Sequence, residues 1–247
     1  MKNAPSKISF LTIPLIIIVL LGGVYFARRS GTNPNAYSND FNVYYFAAAE
    51  IVEGRTPYDN SLGTWTPYIY PPLLAELFVL LAGLPLSLAA YLWFLISAFS
   101  IFMAARMSAS LIDHSDNPSK RYFIIIVSLL GLARFILDNF DYGQVNTVVA
   151  ALVAALFYFY LNNKKFISIG ALVLAASIKL TPLIFIGYHL AKRRFKFAAA
   201  CAVLFVAINA LSFIPFTSRA DDALTTFFKR TVKNEQGFKF KFIIKDI

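Results

Sequence analysis

An isolated acid lies in a polar stretch between two apolar regions. The stretch 30–72 contains Asp40, with Tyr44 and Tyr45 one helical turn further on. A carboxylate can remove the proton of an attacking hydroxyl, so Asp40 is a candidate general base. The alternative is helix capping, because Ser38-Asn39-Asp40 precedes a helix-compatible run and Asp40 or a neighbour could accept a backbone N–H there. The two interpretations are compatible, since the helix dipole favours an acid in the first turn.

Aromatic residues and a second acid fill the rest of this stretch. Asp59 follows Thr56-Pro57-Tyr58, an order typical of a turn in which Asp bonds its own backbone. Contact with a sugar is the alternative for Asp59. The aromatic side chains could stack on sugar faces, or they could form the aromatic belt of a membrane interface. They are Tyr44, Tyr45, Tyr58, Trp65, Tyr68 and Tyr70.

A cation interrupts an apolar region later in the chain. Lys179 stands between the apolar segments 166–178 and 183–190, and Pro182 breaks a helix beside it. Inserting a cation into such a region costs about 2.5–3.5 kcal/mol, which makes it a functional candidate. An anionic ligand such as a lipid phosphate would offset that cost. The alternative is a side chain that snorkels to the headgroups.

Three more polar side chains precede Lys179. Arg134 could be a second phosphate contact, because its guanidinium fork matches phosphate geometry. It could equally form a local ion pair with Asp138, four residues on. Gln144 and Asn146 lie at the outer mouth of a predicted span, where their amides can donate to and accept from sugar hydroxyls. Ordinary loop polarity is the alternative for both amides.

The composition predicts an integral membrane protein. Hydrophobic residues make up 58% of the 247 residues and charged residues 15%, whereas soluble domains carry about 25% charged residues. The net charge of +10 comes mostly from basic residues between apolar spans, so we expect a membrane and no nucleic acid as partner. The single cysteine excludes an intrachain disulfide, and neither of the two histidines has a second ligand at metal spacing. We therefore expect no metal and no other cofactor.

The apolar spans divide the chain into four parts. Residues 1–29 are predicted to be a retained transmembrane anchor, because the apolar run 8–26 can cross about 30 Å of hydrocarbon and no small-residue cleavage site follows it. Residues 30–72 form a loop, and residues 73–216 form a bundle of several spans, including one at 122–137. Residues 217–247 form a basic tail without a span. Its abrupt end predicts that the chain is a truncated or frame-shifted version of a longer protein.

Basic residues predict the orientation of these spans. With the N-terminus inside, eleven Lys and Arg residues fall on the inner side, whereas only Arg28, Arg29 and Arg55 fall outside before the tail. The positive-inside rule therefore places the N-terminus in the cytoplasm. The Asp40 loop and the loop 138–146 then share the extracytoplasmic face.

Five segments, taken in order, resemble glycosyltransferase family 87 of the GT-C class. They are Asp40 to Glu50 (Asp-x-x-x-Tyr-Tyr-x-Ala-Ala), Gly54 to Asp59 (Gly-x-x-Pro-Tyr-Asp), Tyr68 to Leu73 (Tyr-x-Tyr-Pro-Pro-Leu) with Trp93 downstream, Gly143 to Asn146, and Ile178 to Pro182. The resemblance implies an all-α integral membrane protein, a multi-span GT-C-type helical bundle whose extracytoplasmic first loop bears short helices. It places that bundle in the plasma membrane, which is the inner membrane of a bacterium.

The resemblance also implies an activity. It implies a hexosyltransferase, most often a mannosyltransferase, that uses a polyprenyl-phosphate sugar donor and a lipid or glycan acceptor. In this picture Asp40 is the base of an inverting transfer, and Lys179 with Arg134 binds the leaving phosphate. Contacts to the sugar or the acceptor would come from Tyr44, Tyr45, Asp59, Tyr70, Gln144 and Asn146.

Two other functions are compatible with parts of the sequence. A lipid or anion transporter or flippase could use the break at 179–182 as an anion site within the membrane, although we find no internal repeat. An inactive truncated fragment or a membrane scaffold would account for the abrupt tail.

Overall fold

The computed structural model describes residues 9–32, 39–62, 66–112, 117–219, 223, 225–227 and 229. No strand occurs in this part of the chain, which confirms the predicted all-α class. The α-helices are α1 (Ser9–Thr32), α2 (Asp40–Val52), α3 (Pro72–Ala82), α4 (Leu86–Ile112), α5 (Pro118–Gly131), α6 (Ala133–Tyr142), α7 (Asn146–Leu161), α8 (Lys165–Ile178), α9 (Ile184–Ala191) and α10 (Phe195–Phe213). Short 3-10 helices follow at Thr181–Leu183 and Ile214–Arg219. Trp65 and most of the predicted tail lie outside the described residues.

Apolar helices of membrane-spanning length confirm the predicted membrane character. Among the helices searched, Leu86–Ile112 and Phe195–Phe216 are long and apolar enough to cross a bilayer. A third span is possible if α5 and α6, which are bent by 64° at their junction, act as one. Helix α3 has 11 residues and is too short to cross a bilayer.

The region around Gly131 differs from the prediction. We expected a span at 122–137 followed by a polar loop at 138–146. Instead, α5 ends at Gly131 and α6 continues to Tyr142. Glycine has a low helix propensity, which favours a break at this point, and Gly143 with a φ of 62° then ends α6.

Helix α2 is buried, although it lies in the predicted loop. Phe41 and Tyr44 are fully buried, and Phe41 packs edge-on against Phe26 of α1. Tyr44 packs edge-on against Phe78 of α3, whose ring lies 4.7 Å from that of Trp93 in α4. Tyr44 therefore belongs to a core shared by α1 to α4, where its ring is exposed neither to a membrane interface nor to a sugar. Tyr58 and Tyr68 lie in the same core at 2% exposure each.

Candidate active site

Asp40 is the first residue of α2, but it does not cap the helix. The neighbouring Asn39 is the cap, because its Oδ1 accepts the backbone N–H of Phe41 at 3.1 Å. The Asn39 amide also donates to Ser30 Oγ at 2.8 Å, which ties this end of α2 to α1. Within the described residues, no group donates a hydrogen bond to the Asp40 carboxylate. The carboxylate is thus held in place by the backbone and left available for another partner.

Lys179 is positioned by a break between helices. Helix α8 ends at Ile178, and Lys179 is extended (φ −146°, ψ 129°) ahead of the 3-10 turn that contains Pro182. Its Nζ donates to Asn146 Oδ1 at 2.7 Å, and Asn146 Nδ2 donates to Gln144 Oε1 at 2.5 Å. Because an ammonium can only donate, this contact also fixes which atom of the Asn146 amide faces Lys179. Three of the predicted site residues therefore form one hydrogen-bonded chain.

Asp40 and Lys179 interact electrostatically without forming an ion pair. Burial raises the pKa of Asp40, and the charge of Lys179 opposes that rise. No ion pair joins the two among the residues that the structure describes. A directly paired acid and cation would neutralise each other, whereas these two charges interact without such a pair.

The turn at Gly143 brings the amide-bearing loop against the start of α2. A Cβ added to Gly143 would lie 2.7 Å from Phe26 Cζ and 2.7 Å from Phe41 Cβ, so only glycine fits at this approach. The carbonyl of Gly143 accepts the indole N–H of Trp93 at 2.8 Å. Trp93 therefore anchors the segment that carries Gln144 and Asn146 onto α4.

Two tyrosines lie beside Asp40. Tyr44 and Tyr70 pack edge to face with ring centroids 5.2 Å apart, and their hydroxyls are 3.3 Å apart. Burial raises the pKa of both phenols, and the nearby charge of Asp40 raises them further. The backbone N–H of Val145 also donates to the Tyr44 hydroxyl. The tyrosines thus connect the acid to the loop 143–146.

Three predicted site residues lie in other surroundings. The Tyr45 hydroxyl donates to the carbonyl of Leu84 at 2.8 Å, which joins α2 to the turn before α4. Asp59 accepts from the backbone N–H and the hydroxyl of Thr56, both at 2.9 Å, as its turn interpretation predicts. Arg134 is exposed on α6, and no ion pair with Asp138 occurs among the described residues. Their proposed roles in binding stay predictions.

Sequence reasoning missed several polar contacts that hold this region together. Glu50 is 1% exposed and accepts from Ser61 Oγ at 2.7 Å, from the N–H of Leu62 at 2.8 Å and from Arg55. Arg29 of α1 forms an ion pair with Asp141 of α6. The available signal for Glu50 was an acid on a helix whose other residues are apolar, which requires a buried partner.

Comparison with known proteins identifies the family. The model of glycosyltransferase family 87 matches residues 68–242, well over half of the chain. The chain belongs to glycosyltransferase family 87. The matched region contains Tyr70, Trp93, the loop 143–146 and Lys179, whereas Asp40 precedes it. The family resemblance that we drew from five sequence segments is thereby confirmed.

Two curated relatives of the family are mycobacterial proteins. Both are described as polyprenol-phosphate-mannose-dependent alpha-(1-2)-phosphatidylinositol pentamannoside mannosyltransferases. The protein of Mycobacterium tuberculosis (strain CDC 1551 / Oshkosh) is 28% identical over 206 residues, which cover 81% of this chain and 47% of the relative. The protein of Mycolicibacterium smegmatis (strain ATCC 700084 / mc(2)155) is 33% identical over 188 residues, which cover 73% of this chain and 44% of the relative. The chain thus spans about half the length of the curated relatives it matches, and no solved structure matches it.

Proposed function

We propose that the protein transfers a hexose, taken as mannose in view of its relatives, from a polyprenyl-phosphate donor to a hydroxyl of a lipid or glycan acceptor. The cluster of Asp40, Lys179 and Asn146 supports this proposal, because it combines a partly buried acid with a cation that is not paired to it. Membership of family 87 and the printed descriptions of the two relatives support the choice of donor. The distribution of basic residues supports a site on the extracytoplasmic face.

Asp40 is the general base in this proposal. As the acceptor oxygen attacks the anomeric carbon, its proton passes to the Asp40 carboxylate, and a new C–O bond forms. The bond between the anomeric carbon and the phosphate oxygen breaks on the opposite face of the sugar, so the configuration inverts. Asn39, and not Asp40, caps the helix. The Asp40 carboxylate can therefore accept the proton without giving up a hydrogen bond of the fold.

Lys179 stabilises the leaving group. The polyprenyl phosphate gains negative charge as the glycosidic bond breaks, and a preplaced cation in a partly dehydrated site favours that change. Asn146 orients the ammonium by accepting from Nζ. Tyr70 and Gln144 are partly exposed and supply a hydroxyl and an amide for the sugar. The fully buried Tyr44 instead positions Tyr70 through the contact between their hydroxyls.

A transfer assay with purified protein, a polyprenyl-phosphate-mannose donor and membrane-lipid acceptors tests the proposal. We expect Asp40→Asn to lower kcat by about 10²–10⁴-fold, the usual contribution of a positioned base. The control is Glu53→Gln, which neutralises an exposed acid at the other end of α2 and should leave kcat within about twofold. Near-normal turnover by Asp40→Asn would reject Asp40 as the base.

A further inference from the structure

A basic cavity lies between two helix turns that the proposed reaction does not use. It has a volume of about 710 Å³ and lies between the turn from α7 to α8 and the turn from α9 to α10. Among the residues that the structure describes, its lining contains four cations and no acid. The cations are Lys165, Arg193, Arg194 and Lys196.

The two turns share one backbone design. Asn163 and Arg193 both adopt the left-handed conformation, with φ values of 59° and 57°. The following N–H groups close the turns in the same way, from Lys164 to the carbonyl of Phe159 and from Arg194 to the carbonyl of His189, each at 2.9 Å. The two turns therefore place the first residues of α8 and of α10 beside the same cavity.

Both helices start in a way that favours an anion. Helix α8 has 14 residues and α10 has 19, and neither has an acid in its first turn or a side-chain hydrogen bond at its N-cap. Instead, basic residues stand at both positive helix ends, where the dipole disfavours them. An anion bound between the turns would offset both the dipoles and the mutual repulsion of the cations.

One of the cations is already held in place. The Arg194 guanidinium lies 4.3 Å from the centroid of the Tyr160 ring, and its Nη1 is 3.5 Å from Nδ1 of the buried His189. By contrast, Lys165 and Lys196 have no ion pair within the part of the chain that the structure describes. The cavity thus combines one fixed guanidinium with two ammonium groups that are available to a ligand.

The cavity is separate from the candidate active site. Helix α7 runs from Asn146 to Leu161, and α8 returns from Lys165 to Ile178. Lys179 and Asn146 therefore lie at one end of this helix pair and the cavity at the other, about 24 Å away at 1.5 Å per residue. The cavity is therefore distinct from the candidate active site.

We propose that this cavity binds the phosphate headgroup of an anionic phospholipid. Four cations without an acid select for a phosphate. Apolar side chains select for a lipid over a free anion, because Phe166 is 91% exposed, Phe195 is 62% exposed and both border the cavity. A free phosphate offers nothing to cover these rings, whereas the acyl chains of a lipid do.

Binding of spin-labelled phosphatidylglycerol to the full chain in phosphatidylcholine vesicles tests the proposal. The pair Lys165→Gln with Lys196→Gln removes two cations of the cavity. The matched pair Lys164→Gln with Lys192→Gln removes two cations of the same turns that lie over the rings of Phe159 and Tyr188 instead. We expect the cavity pair to weaken binding by at least about tenfold and the matched pair by less than about threefold, at about 1 kcal/mol for each cation that contacts the headgroup.

Two outcomes would overturn the proposal. Equal losses from both pairs would mean that the lipid responds only to the overall charge of this face. Saturable binding of inorganic phosphate to the protein in neutral detergent, abolished by the cavity pair while the bound lipid is unchanged, would assign the cavity to a soluble anion. Mannosyl transfer is not part of either readout, so the result is independent of the proposed function.

Discussion

Lys179 Nζ donates to Asn146 Oδ1 at 2.7 Å, and this contact joins the end of α8 to the start of α7. Both residues lie where an apolar helix begins or ends, so neither is confined by a regular helix face. The amide oxygen partly replaces the water that the ammonium loses on burial. It does so without neutralising the charge, which a carboxylate at the same position would have done. The contact therefore keeps a cation ready for an anionic group.

Replacing Lys179 by alanine should weaken donor binding more than it affects folding. The variant loses a cation that the proposed mechanism places at the donor phosphate, so we expect kcat/KM for the polyprenyl-phosphate donor to fall by about 10²–10³-fold. Steady-state kinetics with varied donor checks this, and Lys179→Arg should recover part of the loss. If the donor KM and kcat are both unchanged, Lys179 does not bind the donor and instead snorkels to the headgroups.

Arg134 provides a comparison within the same experiment. It is exposed on α6, and our prediction from the sequence makes it a second phosphate contact. If that role holds, Arg134→Ala raises the donor KM and leaves the acceptor KM unchanged. A change of less than about twofold, the usual effect of an exposed substitution, would leave Lys179 as the cation responsible for donor binding.

The pH dependence of transfer should report the ionisation of Asp40. Burial raises the pKa of Asp40 above the ordinary value of 3.8, and Lys179 partly opposes this. Because the base must be ionised, the acidic limb of kcat/KM should lie above that ordinary value. Lys179→Met removes the opposing charge, so the residual activity should show an acidic limb at still higher pH. A limb that moves to lower pH in this variant would contradict the electrostatic contact.

The same shift predicts a stability effect. A carboxyl whose pKa is raised by folding stabilises the folded state fully below its unfolded pKa and loses that contribution as pH rises through the folded pKa. At neutral pH, Asp40→Asn should therefore leave the thermal midpoint unchanged or raise it, even though it abolishes transfer. Loss of activity through unfolding would instead lower the midpoint.

The sequence could predict individual site residues but not the contacts between them. The helix start at Asn39 and the helix ends near Gly143 and Pro182 follow from local rules. Asn39 caps a helix, Gly143 adopts a left-handed backbone and Pro182 lacks an N–H, and each of these effects acts within a few residues. The Lys179–Asn146 contact spans 33 positions and depends on how α7 packs on α8. No local pattern specifies that packing, so the sequence alone left both snorkelling and ligand binding open.

Burial of the first loop was also beyond local rules. Tyr44 and Tyr68 follow the composition of an interfacial belt, but they pack into the core. Aromatic side chains with a polar tip suit either environment. The deciding feature is the hydrogen-bond partner of each hydroxyl, such as the carbonyl of Pro71 at 2.6 Å from the Tyr68 hydroxyl, and that partner is known only once the helices are placed.

Gly143 should be far more sensitive to substitution than Gly54. Both have positive φ, 62° and 74°, so alanine strains the backbone similarly, by about 1–2 kcal/mol. A Cβ at Gly54 meets nothing within 4 Å, whereas at Gly143 it meets Phe26 and Phe41 at 2.7 Å. Gly143→Ala should therefore lower the thermal midpoint more than Gly54→Ala and should also reduce transfer, since it displaces the loop of Gln144 and Asn146. Equal effects in both variants would argue against close packing at Gly143.

Glu50 should stabilise the loop in a pH-dependent way. Burial alone would raise the pKa of Glu50, but hydrogen bonds from Arg55, Ser61 and the Leu62 N–H outweigh it and lower the pKa. A carboxyl with a lowered pKa contributes stability above its unfolded pKa and loses it as pH falls through the folded value. Glu50→Gln removes a charge that accepts these bonds, which should cost about 1–3 kcal/mol at neutral pH.

Limited proteolysis of the segment 53–62 measures how strongly Glu50 stabilises this loop. Cleavage in the wild type should accelerate as pH falls through the acid range, whereas Glu50→Gln should be cleaved faster at neutral pH and show little further change. The control is Glu53→Gln, because Glu53 is half exposed and its carboxylate pairs with Arg55 of the same loop. If Glu50→Gln and Glu53→Gln are cleaved equally slowly at neutral pH, the hydrogen bonds to Glu50 do not hold this loop on α2.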